Sequence, residues 1–119
     1  MNLIMATLTF EKSLEKWMEA EKELFNECEA YIKSQLELMP NKEIYIDYEN
    51  ISSTPTVICE NFDEYVKSNV ERVYLKQGNI YIDTDFFSWY SASLLTAKEL
   101  SVIAVAVKET IEANFEFEQ

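Results

Sequence analysis

The fold is decided by residues 70–84, with the sequence VERVYLKQGNIYIDT. Apolar and polar residues alternate on both sides of Gln77-Gly78, as in two strands that each turn one face toward a core. Gly78 is the only glycine in the chain, and glycine can adopt the positive φ of a two-residue hairpin turn without strain. The segment therefore predicts an antiparallel hairpin with strands at 70–76 and 79–84.

The position of the turn also predicts the register of the hairpin. It places the aliphatic side chains of both strands on one face and pairs opposite charges on the other face. The predicted cross-strand pairs are Leu75 with Ile80, Tyr74 with Tyr81, and Arg72 with Asp83.

Further strands are predicted on the amino-terminal side of the hairpin. Residues 43–48 alternate as EIYIDY, and residues 56–59 form a short apolar stretch. Asn61 is positioned to cap a short helix that follows. If the aliphatic residues face the helices, the other face of the sheet presents a row of tyrosines, namely Tyr45, Tyr74 and Tyr81.

A long helix is predicted over residues 10–39, with Thr9 as its cap and Pro40 at its end. Such a helix measures roughly 45 Å, more than the roughly 30 Å diameter of a small domain. We therefore expect it to kink near Glu21 and fold back, to project, or to pack against a second copy. Its apolar stripe is formed by Phe10, Leu14, Trp17, Leu24, Phe25, Cys28, Ile32 and Met39.

The opposite side of this helix carries a row of glutamates at i,i+4 spacing, which is either a solvated face or an anionic ridge for a basic partner. Glu21 departs from this pattern because it lies within the apolar stripe, where it could reach water or pair with Arg72, the only arginine. The row consists of Glu11, Glu15, Glu19, Glu23 and Glu27.

The last helix is predicted to begin after the capping box Thr96-Ala97-Lys98-Glu99 and to run to about Ala113. It is apolar on more than one side, which is typical of a helix buried on both sides. The irregular, aromatic stretch 85–95 precedes it. The chain is therefore predicted to be a single α+β domain over 1–119, with a long N-terminal helix, three to four mostly antiparallel strands and a buried C-terminal helix.

Composition excludes several classes of function. The chain has 22 acidic and 10 basic residues, a net charge of −12, which repels nucleic acid and anionic lipid. It has no histidine, which excludes catalytic triads that contain histidine and metal sites that use histidine as a ligand. The two cysteines, Cys28 and Cys59, form one disulfide or, as we expect, stay free and buried. With no long apolar run and no signal peptide, a cytoplasmic protein is expected.

No catalytic, cofactor-binding or metal-binding motif is present, so no such site is predicted. The closely spaced acids Asp47 and Glu49, and Asp83 and Asp85, leave a metal-dependent enzyme or small hydrolase as a remote alternative. A second alternative is an acidic mimic of nucleic acid that blocks a DNA-binding protein.

The favoured hypothesis is a non-enzymatic protein-interaction module with a protein partner, either a basic one or a second copy. Exposed aromatic residues are the best candidates for the contact, since tyrosine and tryptophan dominate binding hot spots. Phe10, Leu14 and Met18 are expected to protrude from the long helix and to favour a homodimer. The candidate protein-binding residues are Trp17, Tyr45, Tyr74, Tyr81 and Trp89.

Overall fold

The computed structural model describes residues 3–46, 70–84 and 90–115. It has the predicted α+β architecture. Helix α1 spans Leu3–Glu37 and helix α2 spans Ala97–Phe115. The strands are β1 (Glu43–Tyr45), β2 (Val70–Lys76), β3 (Asn79–Thr84) and β4 (Tyr90–Ser91), and short 3-10 turns occupy Pro40–Lys42 and Ala92–Leu94.

The four strands form one antiparallel sheet in the order β1-β2-β3-β4. All three predicted pairs of the hairpin are present, so the predicted register is confirmed. Gln77 and Gly78 have φ values of 54° and 79°, and positive φ at both central residues is the conformation that matches the twist of the strands. Strand β4 falls in a stretch that was predicted to be irregular.

A register irregularity between Val70 and Arg72 was not predicted. Strict alternation would place Val70 on the same face as Arg72 and Tyr74. The extra residue in β2 instead turns Val70 into the core, where it is fully buried opposite the buried Thr84. Because of the irregularity, Val70 at the start of β2 faces the core while Arg72 in the middle of β2 faces the outer side of the sheet.

Helix α1 begins earlier than predicted, and Thr9 is not its cap. Thr9 lies inside the helix, where its hydroxyl donates to the carbonyl oxygen of Met5 at 2.9 Å. The apolar first two turns continue the helix without a cap signal, which is why the sequence pattern placed the start too late. The helix also continues through Glu21, so the predicted alternative of a kink and fold-back is wrong.

The carboxyl end of α1 is close to the prediction. The last helical residue is Glu37, and Pro40 opens the 3-10 turn that leads into β1. Proline is tolerated at this first position because its missing N–H would have no partner in the turn.

Helix α2 is the centre of the core, as predicted. Thr96 and Glu99 form the predicted capping box: the Thr96 hydroxyl accepts from the Glu99 N–H at 3.2 Å, and the Glu99 carboxylate accepts from the Thr96 N–H at 2.8 Å. Val105, on one of the apolar sides of this helix, is only partly buried. The fully buried residues of α2 are Leu100, Val102, Ile103, Ala106 and Val107.

The core joins three layers: α2, the second half of α1 and the inner face of the sheet. The predicted aliphatic residues of the strands face it, with Leu75 only partly buried. The predicted strand at 56–59 and the helix capped by Asn61 lie outside the described residues, as does the end of the predicted strand 43–48. No helix in the described ranges is both long enough and apolar enough to cross a bilayer.

Candidate protein-interaction surfaces

The first half of α1 is the most exposed apolar surface of the described chain. Every side chain from residue 4 to residue 20 is exposed, and we call this segment the overhang. Phe10 and Trp17 are 67% and 55% exposed. The large apolar side chains of the overhang are Ile4, Met5, Leu8, Phe10, Leu14, Trp17 and Met18.

The overhang exists because α2 starts partway along α1. Ala97, the first residue of α2, lines a shallow depression together with Trp17 and Phe25 of α1. Further along, Ser101 and Lys108 share a groove with residues 24–31 of α1. The two helices therefore run in the same direction, and about 20 Å of α1, at 1.5 Å per residue over residues 4–16, lies before the start of α2.

The exposed stripe of the overhang continues the core-facing stripe of the second half of α1. At about 100° per residue, Phe10, Leu14 and Trp17 fall on the same side of the helix as Cys28 and Ile32. Ile32 is fully buried, whereas Leu14 is 44% exposed. One apolar face is thus covered at one end of the helix and exposed at the other.

The overhang carries little of the net charge of this acidic chain. It carries three glutamates, at 11, 15 and 19, and two lysines, at 12 and 16, for a net charge of −1 out of −12. The remaining residues therefore carry −11. The tyrosines of the sheet, in contrast, lie beside the charged side chains of Arg72 and its two carboxylate partners.

The outer face of the sheet holds the predicted tyrosine row. Tyr74 and Tyr81 stack with ring centroids 5.8 Å apart and an interplanar angle of 27°. The guanidinium of Arg72 lies 4.1 Å from the centre of the Tyr74 ring, a cation–π contact. Tyr45 is 62% exposed and lies opposite Arg72 on β1. Tyr74 and Tyr81 are therefore occupied largely with each other and with Arg72, whereas Tyr45 projects outward.

Arg72 links three strands through two carboxylates. Its Nη1 is 2.6 Å from Glu43 Oε2 on β1, and its Nη2 is 2.6 Å from Asp83 Oδ2 on β3. Its Nε also donates to Asp83 Oδ2 at 2.8 Å. Burial alone would lower the pKa of Arg72, but the hydrogen bonds and charges of Glu43 and Asp83 raise it above its ordinary value. The hypothesis that Arg72 pairs with Glu21 is wrong, since the carboxylates that bind Arg72 are on the sheet.

Asp83 also affects the pKa of Tyr74, and one oxygen of its carboxylate is buried. Burial, followed by the negative charge of Asp83, raises the pKa of Tyr74. Asp83 Oδ1 is buried and has no hydrogen-bond partner among the residues that the structure describes. Sequence reasoning predicted the Arg72–Asp83 pair from the hairpin but missed Glu43, because no local signal predicts which residues of β1 and β2 face each other.

A groove of about 330 Å³ lies between α1 and α2, and its lining includes Leu24, Cys28 and Tyr31. Cys28 is not in a disulfide, as predicted, but it is only partly buried and not buried as expected, and Cys59 lies outside the described residues. Burial, followed by the charge of Glu27, raises the pKa of the Cys28 thiol. The raised pKa disfavours the thiolate, so the groove does not activate Cys28 as a nucleophile.

The structure separates the candidate residues into two surfaces. Trp17 lies on the helical layer, and Tyr45, Tyr74 and Tyr81 lie on the opposite, outer side of the sheet. Trp89 lies outside the described residues. Among the residues that the structure describes, no three acidic or cysteine side chains come close enough to hold a metal ion.

Sequence reasoning named Trp17 but did not include the first turns of the overhang in the helix. The signal was present, because residues 3–8 are almost entirely apolar, but such a stretch has no single apolar side from which a helix is recognised. Comparisons of the chain with protein-family models, with curated proteins and with solved structures find no match.

Proposed function

We propose that this protein is a non-enzymatic interaction module that binds another protein chain through the apolar stripe of the overhang. The observation that carries the proposal is the exposure of Phe10, Leu14, Trp17 and Met18 along one side of a continuous helix. Exposed apolar patches of this extent on a monomer mark interaction sites. Amphipathic helices bind partners through anchors at this i, i+3, i+4, i+7 spacing.

The outer face of the sheet is the weaker candidate for the contact. Stacked tyrosines could receive the bases of single-stranded nucleic acid, but that mode also requires a cationic groove. Here the single arginine is neutralised by Glu43 and Asp83, and both carboxylates flank the stack. The charge of the face therefore argues against nucleic acid as a direct ligand.

The glutamate row is a poor candidate for an acidic mimic of nucleic acid. Each step of four residues advances about 40° around an α-helix, so the row winds through roughly 160° from Glu11 to Glu27. A winding row cannot present all five charges to one basic groove. The glutamate row is better explained as a solvated polar face that keeps this side of α1 in water.

The proposal also includes a compartment. Cys28 has a free thiol, which fits the reducing conditions of the cytoplasm. We therefore place the interaction there.

Photo-crosslinking in the cells that make the protein tests the proposed surface. A benzophenone amino acid replaces Leu14, on the stripe, and in a matched variant replaces Glu15, about 100° around the helix. We expect a covalent protein adduct from position 14, to a second copy or to another chain, and little from position 15. Equal adducts from both positions, or none from position 14, would contradict the proposal.

A further inference from the structure

We infer that the chain bound by the overhang is a second copy of this protein, with the two overhangs packed side by side in opposite directions. The inference rests on the proposed function, because it names the partner of the same surface. Three features of the described chain support it: the distribution of charge, the extent of the exposed apolar surface and the position of the depression at the start of α2.

The charge of the overhang argues for a copy of itself rather than for a basic partner. A surface with a net charge of −1 offers a basic protein little attraction, while it repels an identical surface only weakly. The remaining −11 of each chain lies outside the overhang. Antiparallel pairing places these two acidic bodies at opposite ends of the paired helices, whereas parallel pairing would place them side by side.

The stripe exposes enough apolar surface for a small dimer interface. Its four large side chains, Phe10, Leu14, Trp17 and Met18, expose roughly 100 to 150 Å² each, so two copies would bury about 1,000 Å² in total, near the lower limit for a specific interface. A twofold interface uses the same patch on both copies. The overhang meets this condition because its stripe can face its own image.

The sequence of the overhang suits close antiparallel packing. Aligning the two overhangs end to end brings Phe10 of each copy against Leu14 of the other. Ala6, Ser13 and Ala20 recur at seven-residue intervals beside the stripe, and such small side chains let two helix backbones approach. Glu15 and Glu19 then lie toward the outside of the pair, and Glu11 lies beside Met18 at its edge.

The same alignment places the first turns of α1 near the start of α2 in the second copy. Ile4, Met5 and Leu8 project in different directions around the helix, and a single neighbouring helix would cover only part of them. In the antiparallel pair, these residues reach the second copy near its Ala20, beside the depression lined by Trp17, Phe25 and Ala97. The second copy therefore approaches these turns with both its α1 and the start of its α2, and it covers the part of them that faces it.

Light scattering after size exclusion tests the inference on the purified chain at about 100 μM, where a pair with a micromolar Kd is almost fully associated. We expect the mass of a dimer for the wild type. Leu14→Glu should halve the mass while circular dichroism remains helical. Lys16→Gln changes the charge by the same −1 on the other side of the helix and should remain a dimer. If Leu14→Glu loses its helical signal, Phe10→Glu takes its place.

The salt dependence of association tests the identity of the partner, and the distance between two spin labels tests the orientation of the pair. Raising the salt from about 0.1 M to about 1 M shortens the Debye length from roughly 10 Å to 3 Å, which should tighten a pair of like-charged chains and would weaken binding to a basic partner. With Cys28 and Cys59 replaced by serine, spin labels at Ser34→Cys should lie roughly 65 Å apart in the antiparallel pair, at 1.5 Å per residue.

A wild-type monomer at this concentration, a dimer that Leu14→Glu leaves intact, or labels within about 25 Å of each other would each overturn the inference. The labels would then indicate parallel helices, since residue 34 of each copy would lie beside its counterpart. A monomer combined with a position-14 adduct to a different protein in cells would leave the proposed function standing. Light scattering of the purified chain can therefore contradict the inference while photo-crosslinking in cells still supports the proposed function.

Discussion

The two halves of α1 have the same kind of sequence and opposite surroundings. The packed half, residues 21–37, buries Ile32 and Leu36 completely against α2 and the sheet. The overhang leaves Phe10 and Leu14 exposed on the same side of the same helix. An amphipathic pattern therefore predicts which face of a helix requires cover, while the length of the neighbouring elements determines whether the chain itself supplies it.

The two halves also differ in what keeps them helical. Isolated helices shorter than about 12–15 residues are marginal in water, and most helical stability in proteins comes from packing. The packed half has that support from α2, whereas within the described residues the overhang depends mainly on its continuity with the packed half. Association of the overhang would therefore stabilise its helix as well as cover its apolar side chains.

The largest expected effect comes from one substitution made in each half. Leu36→Ala should lower the free energy of unfolding by about 2–5 kcal/mol, because it removes a fully buried side chain and leaves a cavity. Leu14→Ala removes the same atoms from an exposed site and should change it by less than about 0.5 kcal/mol in the monomer. Denaturant melts at low protein concentration measure both, since association would add stability that depends on concentration.

Equal losses for the two variants would break the comparison, because they would show that the overhang is covered within its own chain. Glu15→Ala, on the polar side of the overhang, is the control for the change to alanine itself. It should also stay within about 0.5 kcal/mol of the wild type.

A second prediction concerns the sheet that covers the packed half. Arg72→Met keeps most of the apolar stem but leaves Glu43 and Asp83 without their shared cation. Because the three side chains are partly solvated, we expect a loss of about 1–2 kcal/mol, between the values for exposed and buried ion pairs. Arg72→Lys keeps the charge but cannot bind both carboxylates in the same fork, so it should recover only part of the loss.

Chemical denaturation of these two variants decides the role of Arg72. If Arg72→Met were as stable as the wild type, the contacts across β1, β2 and β3 would contribute nothing to the fold. Light scattering should show that both variants keep the oligomeric state of the wild type, since Arg72 lies on the outer face of the sheet and not on the overhang.

A third prediction separates two threonines that look alike in the sequence. Thr96→Ala removes the cap of α2 and should cost about 1 kcal/mol. Thr9→Ala should cost little or stabilise slightly, because Thr9 lies inside α1, bonds back to Met5 and is replaced by a better helix former. Thermal or denaturant unfolding of the two variants measures the difference. A loss of about 1 kcal/mol at Thr9 would mean that α1 begins there after all.

Local signals predicted most of the fold. The hairpin followed from alternation and one glycine, since Gln77-Gly78 lies between the two strands it joins, and α2 followed from Thr96, Glu99 and the apolar residues after them. Each of these signals lies within a few residues of the structure it predicts. The sequence alone was therefore sufficient for the register of β2 and β3 and for the start of α2.

Contacts between distant parts of the chain could not be predicted. Glu43 and Arg72 are 29 residues apart, and nothing near either residue indicates that they meet. The burial of Val70 depends on an irregularity that strict alternation does not reveal. The overhang was predicted as one of three outcomes, and only the position of α2 along α1 distinguishes it from a fold-back.

The smallest expected effect compares thiols on the two halves of α1. Alkylation requires the thiolate, and the pKa of the Cys28 thiol is raised by burial and by Glu27. In a Cys59→Ser background, Cys28 should therefore react more slowly at neutral pH than the same thiol does in denaturant, and its rate should rise at a higher pH.

With Cys28→Ala as well, Leu14→Cys provides the matched thiol on the exposed stripe. It should react faster than Cys28 in the monomer, and a rate that falls as protein concentration rises would show the second copy covering it. If both thiols reacted at the same rate and the same pH, the packed half of α1 would be as open to solvent as the overhang, and the distinction between them would be lost.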